Sequence, residues 1–226
     1  MLGQKLPGLL RCRKCERLAR FMDTLSPKKG YSQSEYWNKP VPGFGDPQAR
    51  VFLVGLAPGA HGANRTGRPF TGDGAGDFMY PLLCKAGFAN QPQATGFGDG
   101  LELRDLYISN AVKCLPPDNK PSPEEFTRCR PFLAQEMSAL SQLKVVLLLG
   151  QGAFTSFLRY LREQDIIDRI SRYTFAHGAV YRPEGGPILI ASYHTSRYNV
   201  QTGRITPEMF LDLLHQVREL ASGENG

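Results

Sequence analysis

Nothing in this 226-residue sequence approaches the roughly 18 consecutive apolar residues of a membrane-crossing helix. The most apolar run, Val145–Leu149, has only the length of a short buried strand. The first residues carry no long apolar core and no small-residue cleavage site, so no secretory signal is read there. Internal repeats and low-complexity blocks are absent. No Gly-Lys-Ser/Thr follows the long glycine-rich segment, which excludes a phosphate loop, and the dinucleotide fingerprint is missing too. Acidic side chains are in short supply: 21 Asp and Glu face 27 Lys and Arg, a net charge of +6. These absences point to a cytoplasmic globular domain spanning residues 1–226, with residues 222–226 as a frayed tail. The basic balance suggests a polyanionic partner such as nucleic acid, against the plain alternative of a basic solvated surface.

What is present is an alternation of short apolar runs with helical patterns. Residues 51–57, 106–112, 144–150 and 188–193 are rich in β-branched residues and read as strands buried on both faces. Residues 78–86, 152–161 and 206–220 carry helical periodicity. Ser122 followed by Pro123, Glu124 and Glu125 is a helix start, with the helix running to about Leu140. Residues 28–47 read as an irregular ordered loop. The pattern predicts an α/β fold, a three-layer α/β/α sandwich around a central, mainly parallel four-stranded sheet. Ligands bind at the carboxyl ends of such strands. Three of the runs end on unusual segments: a glycine-rich loop, Cys114 and His194.

Five cysteines in a reducing compartment argue for metal or cluster binding over disulfides. Cys12 and Cys15 form a C-x2-C pair, and Cys114 and Cys129 can complete a set of four. Four thiolates suit either tetrahedral zinc or a [4Fe–4S] cluster, and spacing alone does not choose. Cys84 lies in an apolar helical stretch and reads as a packed thiol. In the glycine-rich loop, Phe70 has little core to join locally. It either stacks on a planar ligand or anchors the loop.

Gly55-Leu-Ala-Pro-Gly59 with His61-Gly62 and Asn64-Arg-Thr-Gly-Arg-Pro-Phe70-Thr-Gly-Asp73 resembles the first motif of family 5, or type B, uracil-DNA glycosylases. Tyr193-His194-Thr-Ser-Arg-Tyr-Asn199 with Gln201-Thr-Gly-Arg204 resembles their second motif. The cysteines match the cluster ligands of that family in order and approximate spacing, and the resemblance runs from about Cys12 to Leu213. It implies a [4Fe–4S] cluster on Cys12, Cys15, Cys114 and Cys129. It implies a pocket floor of backbone at Ala57 and Gly59, with Phe70 stacking on the flipped base. His194 would donate to uracil O2, and Asp73 and Asn119 would position water on the sugar side. Arg65, Arg68, Arg197 and Arg204 are candidate phosphate contacts, with Ser196 and Asn199 in a loop that would press into the duplex. The sequence departs from related enzymes at Leu56, where a water-activating glutamate is absent. It departs again at Thr195, where proline is common, a change expected to alter loop stiffness more than chemistry. Asn110, in Ile-Ser-Asn-Ala-Val, lies where the related family carries a base-reading asparagine, and the resemblance to type B enzymes does not assign it that role.

These residue types suit base excision. A stacked base must be flipped out, at a cost of about a few kcal/mol. Breaking the N-glycosidic bond leaves a cationic sugar and an anionic uracil, so a donor at O2 and a polar group at the sugar both help. The sequence expectation is therefore a monofunctional enzyme acting as a monomer on DNA with uracil or other deaminated bases, with no membrane partner. The rival readings are a non-catalytic nucleic-acid-binding protein with a structural metal and an iron–sulfur electron carrier. Neither requires His194 and Asp73 beside strand ends.

Overall fold

The computed structural model describes residues 2–223. In chain order its helices and strands are α1 (Glu16–Thr24), β1 (Phe44–Gly45), β2 (Val51–Gly55), α2 (Ala63–Thr66), α3 (Gly74–Lys85), β3 (Leu106–Asn110), α4 (Pro123–Ala139), β4 (Val145–Leu149), α5 (Gln151–Glu163), β5 (Val180–Tyr181), β6 (Ile188–Ser192), α6 (Arg197–Gln201) and α7 (Pro207–Ser222). The sheet order is β1-β3-β2-β4-β6-β5, with β3, β2, β4 and β6 parallel. The expected four strands are thus the centre of a six-stranded sheet. The added edges, β1 and β5, pair antiparallel and are two residues each, too short to show a period in sequence.

The alternation of β2 divides the core. Val51 and Leu53 face one side with Met79 and Leu83 of α3 and Phe210 and Leu214 of α7. Phe52 and Val54 face the other with Leu133 of α4 and Phe157 and Leu161 of α5. Both faces are covered, which is why these strands read as continuous apolar runs. A third, smaller cluster joins Leu6, Leu9 and Leu18 to Val112, Cys129 and Phe132.

Local signals set the helix ends. At α4, Ser122 and Glu125 form a reciprocal capping box, with Pro123 in the first turn. At α3, Asp73 Oδ1 accepts the N–H groups of Ala75 and Gly76. At α7, Thr206 Oγ1 accepts from Met209 and Gly223 closes the helix in the left-handed conformation. Ser222 of the expected frayed tail is helical, and residues 224–226 lie outside the described residues. Cys84 is half-buried against the α3 side of the core, as a packed thiol.

Candidate active site

A pocket of about 540 Å³ opens at the carboxyl ends of β2, β3 and β6. Its volume lies within the usual range for ligand sites, about 300–1,000 Å³. The lining brings together Leu56, Ala57, Gly59, Phe70, Asp73, Asn110, Asn119, His194, Ser196 and Arg197, from segments spread over most of the chain. Strand order explains the convergence. The chain leaves β2 towards β3 on one side and later returns to β4 and β6 on the other, which leaves a crevice at the reversal.

Asp73 stands at the start of α3, where one carboxylate oxygen caps the helix. The other, Oδ2, turns towards the loop at Gly59 and Gly62. A side chain at Gly62 would collide with this carboxylate, which explains glycine there. A Cβ at Gly55 would meet both Asn110 Oδ1 and the Phe70 ring, each 2.5 Å away, so glycine lets these two side chains share the end of β2.

His194 follows β6 directly. Its imidazole lies near the Phe70 ring, with centroids 6.0 Å apart and planes inclined by 33°. Burial pushes its pKa down from 6.5, and the Asp73 carboxylate partly opposes this. The ring is therefore neutral at neutral pH and presents one N–H donor. Asn199 Nδ2 donates to the His194 carbonyl at 2.8 Å, and Ser196 caps α6 through the Asn199 N–H. These bonds pin the turn that carries His194. Thr195 between them is fully buried.

Phe70 combines both of its sequence readings. It is 7% exposed and joins the core cluster on the α3 face, yet one part of its ring lines the pocket. Its φ of 52° is unusual for a bulky residue. Bonds from the surrounding loop hold it there: Tyr80 OH donates to Pro69 O, and Thr66 Oγ1 donates to Thr71 O. Phe70→Ala is expected to keep the fold but lower thermal melting, and, on the stacking role that the motif resemblance implies, to lose about 1–3 kcal/mol in binding. An unaltered affinity for uracil-containing DNA would reduce Phe70 to a core anchor.

The arginines separate into distinct roles. Arg197 is exposed, lines the pocket and lies across Gly74 at the start of α3. Arg204 is exposed, with its guanidinium 4.7 Å from the Tyr193 ring centroid. Arg65 is half-buried over Tyr31 and donates to the His61 carbonyl. Arg68 departs from the expectation of a phosphate contact. It is 2% exposed and forms a two-pronged pair with Asp99 at 2.9 and 2.5 Å. Burial alone would push the Asp99 carboxyl up. Arg68 and the N–H groups of Thr95, Leu101 and Gly96 outweigh that and hold it well below the usual carboxylate range. Arg68 also bonds Thr71 Oγ1, so it braces the Phe70 loop from beneath.

The structure sharpens two points that the sequence left general. Asn110, whose role the resemblance left open, lines the pocket at the end of β3. Tyr198, outside the pocket lining, is 72% exposed, the most exposed large hydrophobic side chain among the described residues, on the short helix after His194. Its signal was an aromatic in a polar turn with no periodic partner.

Cys12, Cys15, Cys114 and Cys129 line a second cavity with Leu9, Leu18 and Phe132, and none is in a disulfide. Burial, then the neighbouring Cys129 and Cys12, push Cys114 up, and burial pushes Cys129 up to about 12. The C-x2-C segment is held by Arg17, which clamps both Glu125 carboxylate oxygens at 2.8 and 2.7 Å, and by Arg128, which donates to Lys14 O. Among the described residues no three His, Cys, Asp or Glu side chains are gathered closely enough to hold a metal ion.

A sandwich of this topology, with a pocket built from these two loops, defines a class, and comparison with known proteins names it. The profile of the Uracil DNA glycosylase superfamily matches residues 42–218, and the chain belongs to that superfamily. It is 47% identical to the type-5 uracil-DNA glycosylase of Thermus thermophilus over 94% of this chain and 95% of that one. It is 40% identical to the type-5 uracil-DNA glycosylase of Pyrobaculum aerophilum over 92% of this chain and 88% of that one. Within the superfamily the chain is therefore a member of the type-5 family. The crystal structure of SMUG2 from Pedobacter heparinus shares the fold, with a TM-score of 0.51 at 14% identity over 93% of this chain and 98% of that one.

Proposed function

We propose that this chain excises uracil from DNA in base-excision repair, hydrolysing the N-glycosidic bond of a flipped nucleotide and leaving an abasic site. The observation that carries the reading is that Asp73, Asn119, Phe70 and His194 meet in one pocket, in a chain of the type-5 family. Phe70 stacks on the base while backbone at Ala57 and Gly59 forms the floor. The neutral His194 N–H is aimed at O2, where negative charge grows as the bond breaks. Asp73 Oδ2, free of the helix cap, balances the cationic sugar and orients the attacking water, with Asn119 at the pocket mouth holding that water. Leu56 supplies no acid, so leaving-group stabilisation carries more of the rate. No lysine lines the pocket among the described residues, which favours hydrolysis over a Schiff base. Leu56, Ala57 and Phe70 form an apolar part of the wall, and such a surface discriminates weakly between bases of similar shape. Hypoxanthine and other deaminated bases are therefore substrates too. The decisive experiment is incubation with a uracil-containing duplex. Alkali-labile abasic sites support the reading, and an intact duplex overturns it.

The DNA face consists of Arg197, Arg204, Ser196 and the exposed Tyr198, which presses into the duplex. Arg65 and Asn199 support this face through the internal bonds described above. Affinity for undamaged duplex is expected to fall steeply with salt as counterions return to the DNA. Arg197→Ala should flatten that slope by about one unit. A slope unchanged by the substitution would remove Arg197 from the phosphate contacts. The protein acts as a monomer with the chromosome in the cytoplasm. No helix of the described residues is long and apolar enough to cross a membrane.

Cys12, Cys15, Cys114 and Cys129 hold a [4Fe–4S] cluster in this reading. The fit rests on four free thiols around one cavity, with Arg13, Lys14 and Arg128 alongside to offset thiolate charge. When bound, the group cross-links the N-terminal segment to the segments at Cys114 and Cys129, and through them steadies the loop carrying Asn119. The protein should be brown, with about four irons per chain. Cys114→Ser should bleach it and Cys84→Ser should not. Stoichiometric zinc in a colourless, active protein would refute the iron assignment.

A further inference from the structure

Directly beneath the pocket lies a buried ion pair that base excision as described above does not use. Lys113 and Glu136 are 1% and 0% exposed, with Nζ 2.5 Å from Oε2. All three ammonium protons have acceptors: Glu136, Ser109 Oγ at 2.5 Å and the Asn110 carbonyl at 2.8 Å. Ser109 Oγ and Tyr107 OH approach the second Glu136 oxygen at 2.9 and 3.3 Å. The Lys113 backbone is engaged at both ends, its N–H donating to Cys129 Sγ and its carbonyl accepting from Val41. Lys113 does not line the pocket, but Asn110 does, with its Oδ1 beside Phe70 above Gly55.

Two ions taken out of water are costly, and well-packed apolar side chains of similar volume would often stabilise the fold as well. A fully satisfied buried network does, however, allow one arrangement only. Here that arrangement ends on the peptide whose side chain enters the pocket. We infer that Lys113, held by Glu136, is a positioning residue that fixes the Asn110 carbonyl and so sets where the Asn110 amide stands in the pocket beside Phe70. The inference rests on the excision reading above.

The test combines Lys113→Met with Glu136→Gln, which removes both charges at similar volume and leaves no buried ion alone. This double variant should fold, and its single-turnover excision of uracil should fall about tenfold. Asn110→Ala should fall similarly, and adding it to the double variant should bring no further loss, as for groups acting through one another. Amide exchange at Ala111 and Val112, whose N–H groups bond Gly55 O and Leu56 O, should speed up in the double variant. Ser109→Ala, which unpairs no charge, provides the same readout in milder form should the double variant fail to fold. Wild-type rates and wild-type exchange in a folded variant overturn the inference, as do losses that simply add to that of Asn110→Ala. Should the wild-type protein release no uracil, the excision reading fails by itself, and exchange at Ala111 and Val112 then decides the positioning role.

Discussion

His194→Ala is expected to slow single-turnover excision of uracil by about 10²–10³-fold, the loss typical when a donor to a developing oxyanion is removed. Substrate affinity should change far less, because in the role proposed for His194 its bond to O2 strengthens as charge builds there. The imidazole follows β6 beside Phe70 and within electrostatic reach of Asp73, and Asn199 holds the His194 carbonyl. Its depressed pKa also has a stability consequence. A histidine kept neutral by the fold protonates more readily when unfolded. Stability is then fully present above 6.5 and declines as pH falls below 6.5 towards the lower folded value. His177, lowered mainly by burial, acts in the same direction. Denaturation midpoints measured down the acid side should therefore drop less steeply in His194→Ala than in the wild type. Equal slopes would mean that His194 is not buried as neutral imidazole, and an unimpaired excision rate would remove it from the chemistry.

Asp73 gives the second large effect, and its two oxygens allow structure and chemistry to be separated. Asparagine caps a helix as well as aspartate does, so Asp73→Asn should retain the bonds to Ala75 and Gly76 and melt near the wild type. It replaces Oδ2, which faces Gly59 and Gly62, with a donor and removes the charge that the proposed mechanism sets beside the sugar. Turnover should fall by on the order of 10²-fold with binding little changed. Asp73→Ala should lose that rate and about 1 kcal/mol of stability besides, because the cap is gone. Loss of the Asp73 charge should also depress the His194 pKa further, since that carboxylate opposes the effect of burial. Full activity in Asp73→Asn would assign Asp73 to capping alone.

The strands and principal helices were legible because their signals are local. Residues 51–55, 106–110, 145–149 and 188–192 are almost wholly buried, and Ser122 and Thr206 each cap a helix with their own side chains. The helical pattern misses the start of α3 by four residues, at Gly74 and not 78, because Asp73 reads as a site residue and its capping role is not seen in the sequence. Most of the pocket was legible too, since the glycine-rich loop and the segment at His194 each follow a strand end. The edge strands β1 and β5 were not, because two residues carry no period.

Charged side chains show most clearly where local information ends. Sequence supplied Arg68 as one arginine among several beside a glycine-rich loop. Only the fold brought Asp99, 31 residues away, against it and turned a surface candidate into a buried brace. Asn199 likewise closes back on His194 rather than standing free, and Lys113 meets Glu136 across 23 residues. By itself, then, the sequence determined which segments become strands and helices, which thiols are available, and which motif residues lie beside strand ends. The tertiary structure alone decided which ions are buried together, that Asn110 faces the pocket, and that Tyr198 is left in solvent. Periodicity and capping act within a few residues, whereas burial and ion pairing depend on which distant segments the sheet order brings into contact.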